Sequence, residues 1–152
     1  MAKPGGPVPN RERKGERHGG DHEGLAGSRP GQLHARVEEI KRVKGTPPWT
    51  EKVVVNDQIV GTLICQPPGH PTDRHYHLTD EWWVVLEGEI DWEIEGRPAP
   101  VHARAGDLVL VPANHFHHIR PTGRGPSIRL AITPPGEFHR HEREPGAGPY
   151  DR

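Results

Sequence analysis

At 152 residues the chain has room for one domain with one core. Its net charge is −1 with both signs interspersed, so no basic stripe points to nucleic acid, and no apolar run is long enough to span a membrane. A single cysteine, Cys65, cannot form an internal disulfide; with no apolar signal segment near Met1, the expected location is the cytoplasm.

The first segment, residues 1–31, carries few apolar side chains (Met1, Ala2, Val8, Leu25, Ala26) among many glycines, prolines and charges. Such a stretch cannot bury enough surface to offset its ordering entropy, so it is expected to be a flexible tail. The basic residues from Arg11 to Arg17 alternate with Glu12 and Glu16 and read as solvated, and His18 and His22 as tail histidines. A domain is expected over 32–136, and a second tail over 137–152.

Residues 32–44 place Leu33, Val37, Ile40 and Val43 on one stripe, the signature of a short helix packed on the outside of the domain. Gly45 and Pro47-Pro48 end it. Lys52 to Val55 and Gln58 to Cys65 are β-branched runs around Asn56-Asp57, a predicted hairpin. Glu81 to Glu95 reads as another hairpin turning at Glu87-Gly88. Its first arm, Trp82 to Leu86, is continuously apolar and should be covered on both faces. Its second arm alternates strictly, with Ile90, Trp92 and Ile94 inward. Short strands follow at Val101 to Ala105 and Leu108 to Val111, then a strand carrying His117. The last is Ser127 to Thr133, with Ile128, Leu130 and Ile132 on one face. Turn signals every 8 to 12 residues between about eight or nine short strands describe an all-β antiparallel sandwich or barrel.

The chemistry is concentrated in residues 69–88. His75 and His77 are two apart, so an extended chain points both to one face. The short polar link Leu78-Thr79-Asp80 lets Glu81 swing back toward them. Two imidazoles and a carboxylate converging in this way suit a divalent transition metal. His117, from the strand after Pro112-Ala113-Asn114, is the expected fourth ligand; His115 and Ile119 share its parity. A lone barrel histidine is usually a satisfied polar residue, but four groups at this spacing are not explained that way. His75 is the ligand a three-residue site of His77, Glu81 and His117 would do without.

These intervals resemble the cupin motifs. Gly69, His75, His77, Glu81 and Gly88 stand at every defined position of the first motif, and Gly106, Pro112 and His117 at those of the second. Asn114 stands where cupins usually have glycine, a mild change because asparagine tolerates a left-handed turn. Pro121 stands where they usually have asparagine. The resemblance covers roughly residues 50–135. It implies a double-stranded β-helix (a jelly roll) with one short N-terminal helix, and a homodimer, since cupins often pair.

Three neutral imidazoles and one carboxylate fit Fe(II), the favoured ion, or Mn(II), Ni(II), Cu(II) or Zn(II); Mg(II) and Ca(II) prefer oxygen shells. Four ligands leave coordination positions for a small-molecule substrate, which favours a dioxygenase-type enzyme. A non-oxidative isomerase or lyase and a non-catalytic ligand-binding cupin are the alternatives. Residues 67–77 followed by Glu81-Trp82-Trp83 are distantly similar to 3-hydroxyanthranilate dioxygenases. Those enzymes separate His and Glu further and use an acidic residue in the last strand, where this chain has Arg129 among Ile128, Leu130, Ala131 and Ile132. That specific activity is therefore not assigned, and no catalytic residue beyond the ligands is named. Trp83 and His115 are the expected substrate-pocket residues, and Arg74 or Arg129 can meet an anionic substrate, although an arginine so placed is more often an ordinary surface or rim residue. His139 and His141 lack a carboxylate at ligand spacing, and Phe138 is the expected anchor of the C-terminal tail.

Overall fold

The computed structural model describes residues 34–144 and 148–149; the predicted N-terminal tail, with His18 and His22, lies outside the described residues. One helix, α1 (Val37–Lys44), precedes eight strands: β1 (Trp49–Val55), β2 (Val60–Gln66), β3 (Glu81–Glu87), β4 (Glu89–Ile94), β5 (Val101–Arg104), β6 (Leu108–Val111), β7 (His117–Pro121) and β8 (Ser127–Thr133). They form two antiparallel sheets, β1-β2-β8-β3-β6 and β5-β4-β7. This is the predicted all-β jelly roll with its single short helix.

The alternation of apolar residues decides the layering. Ile90, Trp92 and Ile94 of β4 meet Trp83, Val85, Val109, Val111 and Ala131 from the larger sheet, and this cluster fills the space between the sheets. A second cluster lies on the outer face of the larger sheet, where Ile40 of α1 covers Leu63, Cys65 and Ile128. The helix packs where its stripe predicted but begins at Val37 rather than at residue 32; Leu33 lies outside the described residues, and Val43 stays largely exposed. Gly45, at φ 72°, ends it by donating its N–H to the Lys41 carbonyl. The first hairpin forms with a wider turn than expected. The Asn56 side-chain oxygen accepts the N–H groups of Gln58 and Ile59, which holds the turn open until Val60.

Two expectations are corrected. Glu81 to Glu95 is not a hairpin: β3 pairs with β8 and β6, whereas β4 pairs with β5 and β7 in the other sheet. Gly88 carries the chain between layers at φ 77°, passing so close to β8 that a Cβ would sit 2.8 Å from Ser127 Cα. The second concerns the cover on β3. Its inner face, Glu81, Trp83 and Val85, is buried and Leu86 lies under the helix, but Trp82 is 49% exposed. In β8 the alternation separates the two faces as expected, and the fold decides which looks inward. Ile128 and Leu130 face outward onto the helix cluster, while Arg129 and Ala131 point inward.

Candidate metal centre and its cavity

His75 and His117 are brought side by side by backbone pairing. Each donates its N–H to the other's carbonyl, at 3.1 and 2.8 Å, in an isolated bridge at the first residue of β7. His77, one pleat further on, is fixed by Asn114, whose N–H donates to the His77 carbonyl at 2.7 Å. Asn114 adopts φ 63°, the left-handed turn expected of it. The link to Glu81 is tied to the same turn, since Asp80 accepts the Ala113 N–H at 2.9 Å. Glu81 then opens β3 opposite Val111.

The four side chains meet. His75, His77, Glu81 and His117 are all buried, and one donor atom from each lies within 4.8 Å of every other. Glu81 places Oε1 3.6 Å from His77 Nε2 and Oε2 3.2 Å from His117 Nε2. Donors on opposite sides of one ion at about 2.1 Å would stand about 4.2 Å apart, close to the span seen here. Nε2 of His77, Nε2 of His117 and Oε2 of Glu81 are buried without a hydrogen-bond partner among the described residues. Orphaned buried polar atoms are costly, and a cation between them removes that cost. The residues therefore fit a divalent metal.

Outer partners aim the rings. Nδ1 of His117 lies 3.3 Å from the His115 carbonyl, and Nδ1 of His75 3.3 Å from the Asp73 carbonyl and 3.4 Å from its carboxylate. Nδ1 of His77 faces the Glu137 carboxylate at 3.6 Å. At His75 and His117 such a hydrogen bond fixes the tautomer that leaves Nε2 free to ligate, whereas His77 Nδ1 has the Glu137 carboxylate near it without a hydrogen bond. Burial pulls His75 down to about 4, helped by the neighbouring His117, and burial also lowers His77 against the opposing pull of Glu81. Both rings are neutral at pH 7, the form a metal needs.

Residues 62–133 match the family described as Cupin domain. The chain carries a cupin domain. Over 105 residues it is 32% identical to a 3-hydroxyanthranilate 3,4-dioxygenase of Xanthomonas euvesicatoria, covering 68% of this chain and 57% of that enzyme. The chain thus spans little more than half the length of that curated relative. Among solved structures, a cupin family protein from Methanocaldococcus jannaschii with a double-stranded β-helix fold matches at TM-score 0.52 and 22% identity, covering 57% of this chain and 79% of that one. A polyketide cyclase from Streptomyces resistomycificus matches at TM-score 0.53 and 19% identity, covering 62% and 72%. Both structural likenesses concern the fold.

The cupin cavity opens on this cluster with a volume of about 390 Å³, within the range of small-molecule sites. Trp83 lines it, as expected. His115 is not among the lining residues: it lies in the turn before β7, with Nδ1 2.9 Å from the Ala113 carbonyl, so strand parity does not carry its ring inward. Arg74 stacks over Phe116 on another face. Arg129 is no rim arginine but a buried part of the cavity wall. Strand parity puts Arg129 and Ala131 on one face of β8 and Ile128, Leu130 and Ile132 on the other, but does not say which of the two faces looks inward.

The C-terminal segment is the other residue set that sequence reasoning missed. Residues 137–144 do not trail away from the cupin domain. Arg140 exchanges both backbone hydrogen bonds with Tyr76, and Arg143 donates to Glu95 at 3.0 and 2.8 Å and to the Asn114 carbonyl. Asp73 Oδ2 lies 2.8 Å from His139 Nδ1 and 2.7 Å from His141 Nε2. Burial alone would raise the Asp73 carboxyl, but the hydrogen bonds from His141 and His139 outweigh it and hold it well below the usual carboxylate range. The His139 ring stacks on His75 with centroids 3.6 Å apart, and Asp73, His75 and His139 form a second, mostly exposed group able to hold an ion. Phe138, the expected anchor, is 58% exposed. The segment is held by its polar and backbone contacts and by ring packing, and it lends Glu137 and His139 to the cavity lining.

Proposed function

We propose that His75, His77, Glu81 and His117 ligate one divalent transition metal, with Fe(II) favoured, and that the protein is a dioxygenase-type enzyme acting on a small organic substrate. The observation that carries this reading is the convergence of buried, unpartnered Nε2 and carboxylate oxygen atoms at one end of a cavity of substrate size. The mixed nitrogen and oxygen donors suit Fe(II), Mn(II), Ni(II), Cu(II) or Zn(II). Similarity to the Xanthomonas dioxygenase supports the oxidative choice. A bound ferrous ion would supply a common binding point for substrate oxygens and O₂ and a path for electrons between them.

The chain's own residues do the positioning. The backbone bridge between His75 and His117 sets the spacing of two imidazoles, Asp73 and the His115 carbonyl orient those two rings, and Glu137 sets a carboxylate 3.6 Å from Nδ1 of His77. Trp83, Ile64 and Ile119 give the cavity an apolar wall. Glu137 and His139 close part of its rim, which limits water around the reacting group. The protein is further proposed to work as a homodimer in the cytoplasm. The dimer would use the apolar outer face of the larger sheet, where Trp82, Leu108 and Leu110 are exposed.

Elemental analysis after purification without added metal, combined with an O₂-electrode screen against small phenols, diketones and thiols, tests the function. Iron with substrate-dependent O₂ uptake is the expected result. Zinc or nickel without uptake would replace it with a non-oxidative isomerase or lyase. Ligand binding without any turnover would leave a binding protein.

A further inference from the structure

We propose that Arg129 anchors a carboxylate, so that the cavity takes a small monoanionic organic acid lying along Trp83 with its other end toward His75, His77 and Glu81. This deepens the metalloenzyme reading and rests on it only for what the far end of the ligand meets.

Arg129 is 3% exposed and lines the cavity. Its Nη2 donates to Gln66 Oε1 at 2.7 Å, but Nε and Nη1 are buried with no partner among the described residues. No carboxylate forms an ion pair with it among those residues. Glu81 attracts it from a distance and the Trp83 ring lies beneath it, but a buried guanidinium with no carboxylate in contact is costly, and it is kept where a bound anion completes it. Burial pulls its pKa down to about 10, so it remains cationic at neutral pH.

The register sets the geometry. On the inner face of the larger sheet Arg129 pairs with Val85, Ala131 with Trp83, and Glu81 lies one pleat beyond Trp83. Val85 and Glu81 are therefore about 13 Å apart along β3. The Arg129 guanidinium sits 5.3 Å from the centre of the Trp83 ring. A planar or apolar body thus has Trp83 beside it, a cation at one end and the imidazoles at the other. The charge balance selects a monoanion. Glu81, Glu137 and Asp73 line the same cavity, and Arg129 is the sole lysine or arginine among its lining residues. With the proposed divalent ion counted, the three carboxylates, the guanidinium and the ion cancel, so a monoanion leaves one uncompensated charge where a phosphate dianion leaves two.

Acid–amide pairs of equal shape test this on the full chain: acetate against acetamide, and benzoate against benzamide, titrated by calorimetry or ligand-observed NMR. The wild-type protein is expected to prefer each acid by about tenfold or more, the scale of one charge-assisted hydrogen bond. R129Q is expected to weaken the acids by about ten- to a hundredfold and the amides by less than about twofold. R129K should fall between, since it keeps charge without the guanidinium fork. Circular dichroism and metal content check that R129Q is folded, and the wild-type comparison stands without any variant. Equal affinity within each pair, no binding of either acid, or a preference that survives in R129Q overturns the proposal. Metal content separates the two readings. Acid preference in a protein that never takes up metal sinks the metalloenzyme reading alone. Bound metal with acids and amides held equally sinks the Arg129 inference alone.

Discussion

Glu137 Oε2 stands 3.6 Å from His77 Nδ1, while Nε2 of the same ring faces Glu81 at 3.6 Å. One imidazole is thus held between a carboxylate of the cluster and a carboxylate from beyond the last strand. Outer partners of ligating histidines typically contribute 10- to 100-fold in metal affinity. E137A should weaken metal binding by about that factor, while E137D preserves most of it. Competition against a chromogenic chelator measures this directly, and unchanged affinity in E137A would remove Glu137 from the centre.

The pH dependence has a defined sign. His75 is pulled from 6.5 down to about 4, and His77 is lowered as well, both chiefly by burial. In that window the unfolded chain binds protons that the folded protein refuses. Stability of the metal-free protein therefore falls as pH drops from 6.5 toward 4 and is recovered above 6.5. Urea unfolding of metal-free protein at neutral and mildly acidic pH checks this. The acidic midpoint should be the lower, and bound metal should dissociate over the same range because protons compete for the imidazoles.

The C-terminal segment is clamped where Arg143 grips Glu95 and packs over Tyr76 and Phe116. R143A should cost about 1–2 kcal/mol of stability, the scale of a partly buried charged pair with aromatic contacts. More specifically, it should raise hydrogen exchange at the Tyr76 and Arg140 amides, which pair with each other, and leave the β4 amides protected. Uniform loss of protection across both sheets would mean that the segment is integral to the core rather than strapped onto it.

Trp82 pairs with Leu110 on one side and Ile132 on the other, on the face of the larger sheet that points away from the cavity. A glutamate there would place charge in the proposed dimer contact without touching the core. Light scattering at micromolar concentration should give a dimer for the wild type and a monomer for W82E, with matching circular dichroism. A monomeric wild type would contradict the pairing.

Local chemistry in the sequence was enough to define the four-residue cluster. HxH spacing on an extended chain, a carboxylate after a short link and a histidine beyond a proline turn are short-range facts that survive any packing. The alternation of β4 likewise specified which of its residues are buried, because period-two patterning responds directly to a one-sided core. Strand pairing was a different matter. Glu87-Gly88 reads as a hairpin turn, yet whether the next strand folds back beside β3 or crosses to the opposite sheet depends on β8 and β6, which arrive some 20 to 40 residues later and take both sides of β3.

Only the tertiary structure decided where Arg129 and Glu137 lie. An arginine among aliphatic residues carries no mark of which face of β8 looks inward, since Ile128 and Leu130 find an apolar environment of their own under α1. A glutamate after Pro134-Pro135-Gly136 looks like the start of a tail until the segment is seen returning across Tyr76. Membership of the four-residue cluster follows from spacing along the chain. The environment of a ligand follows from which distant segments are packed against it, and that is settled by the whole fold at once.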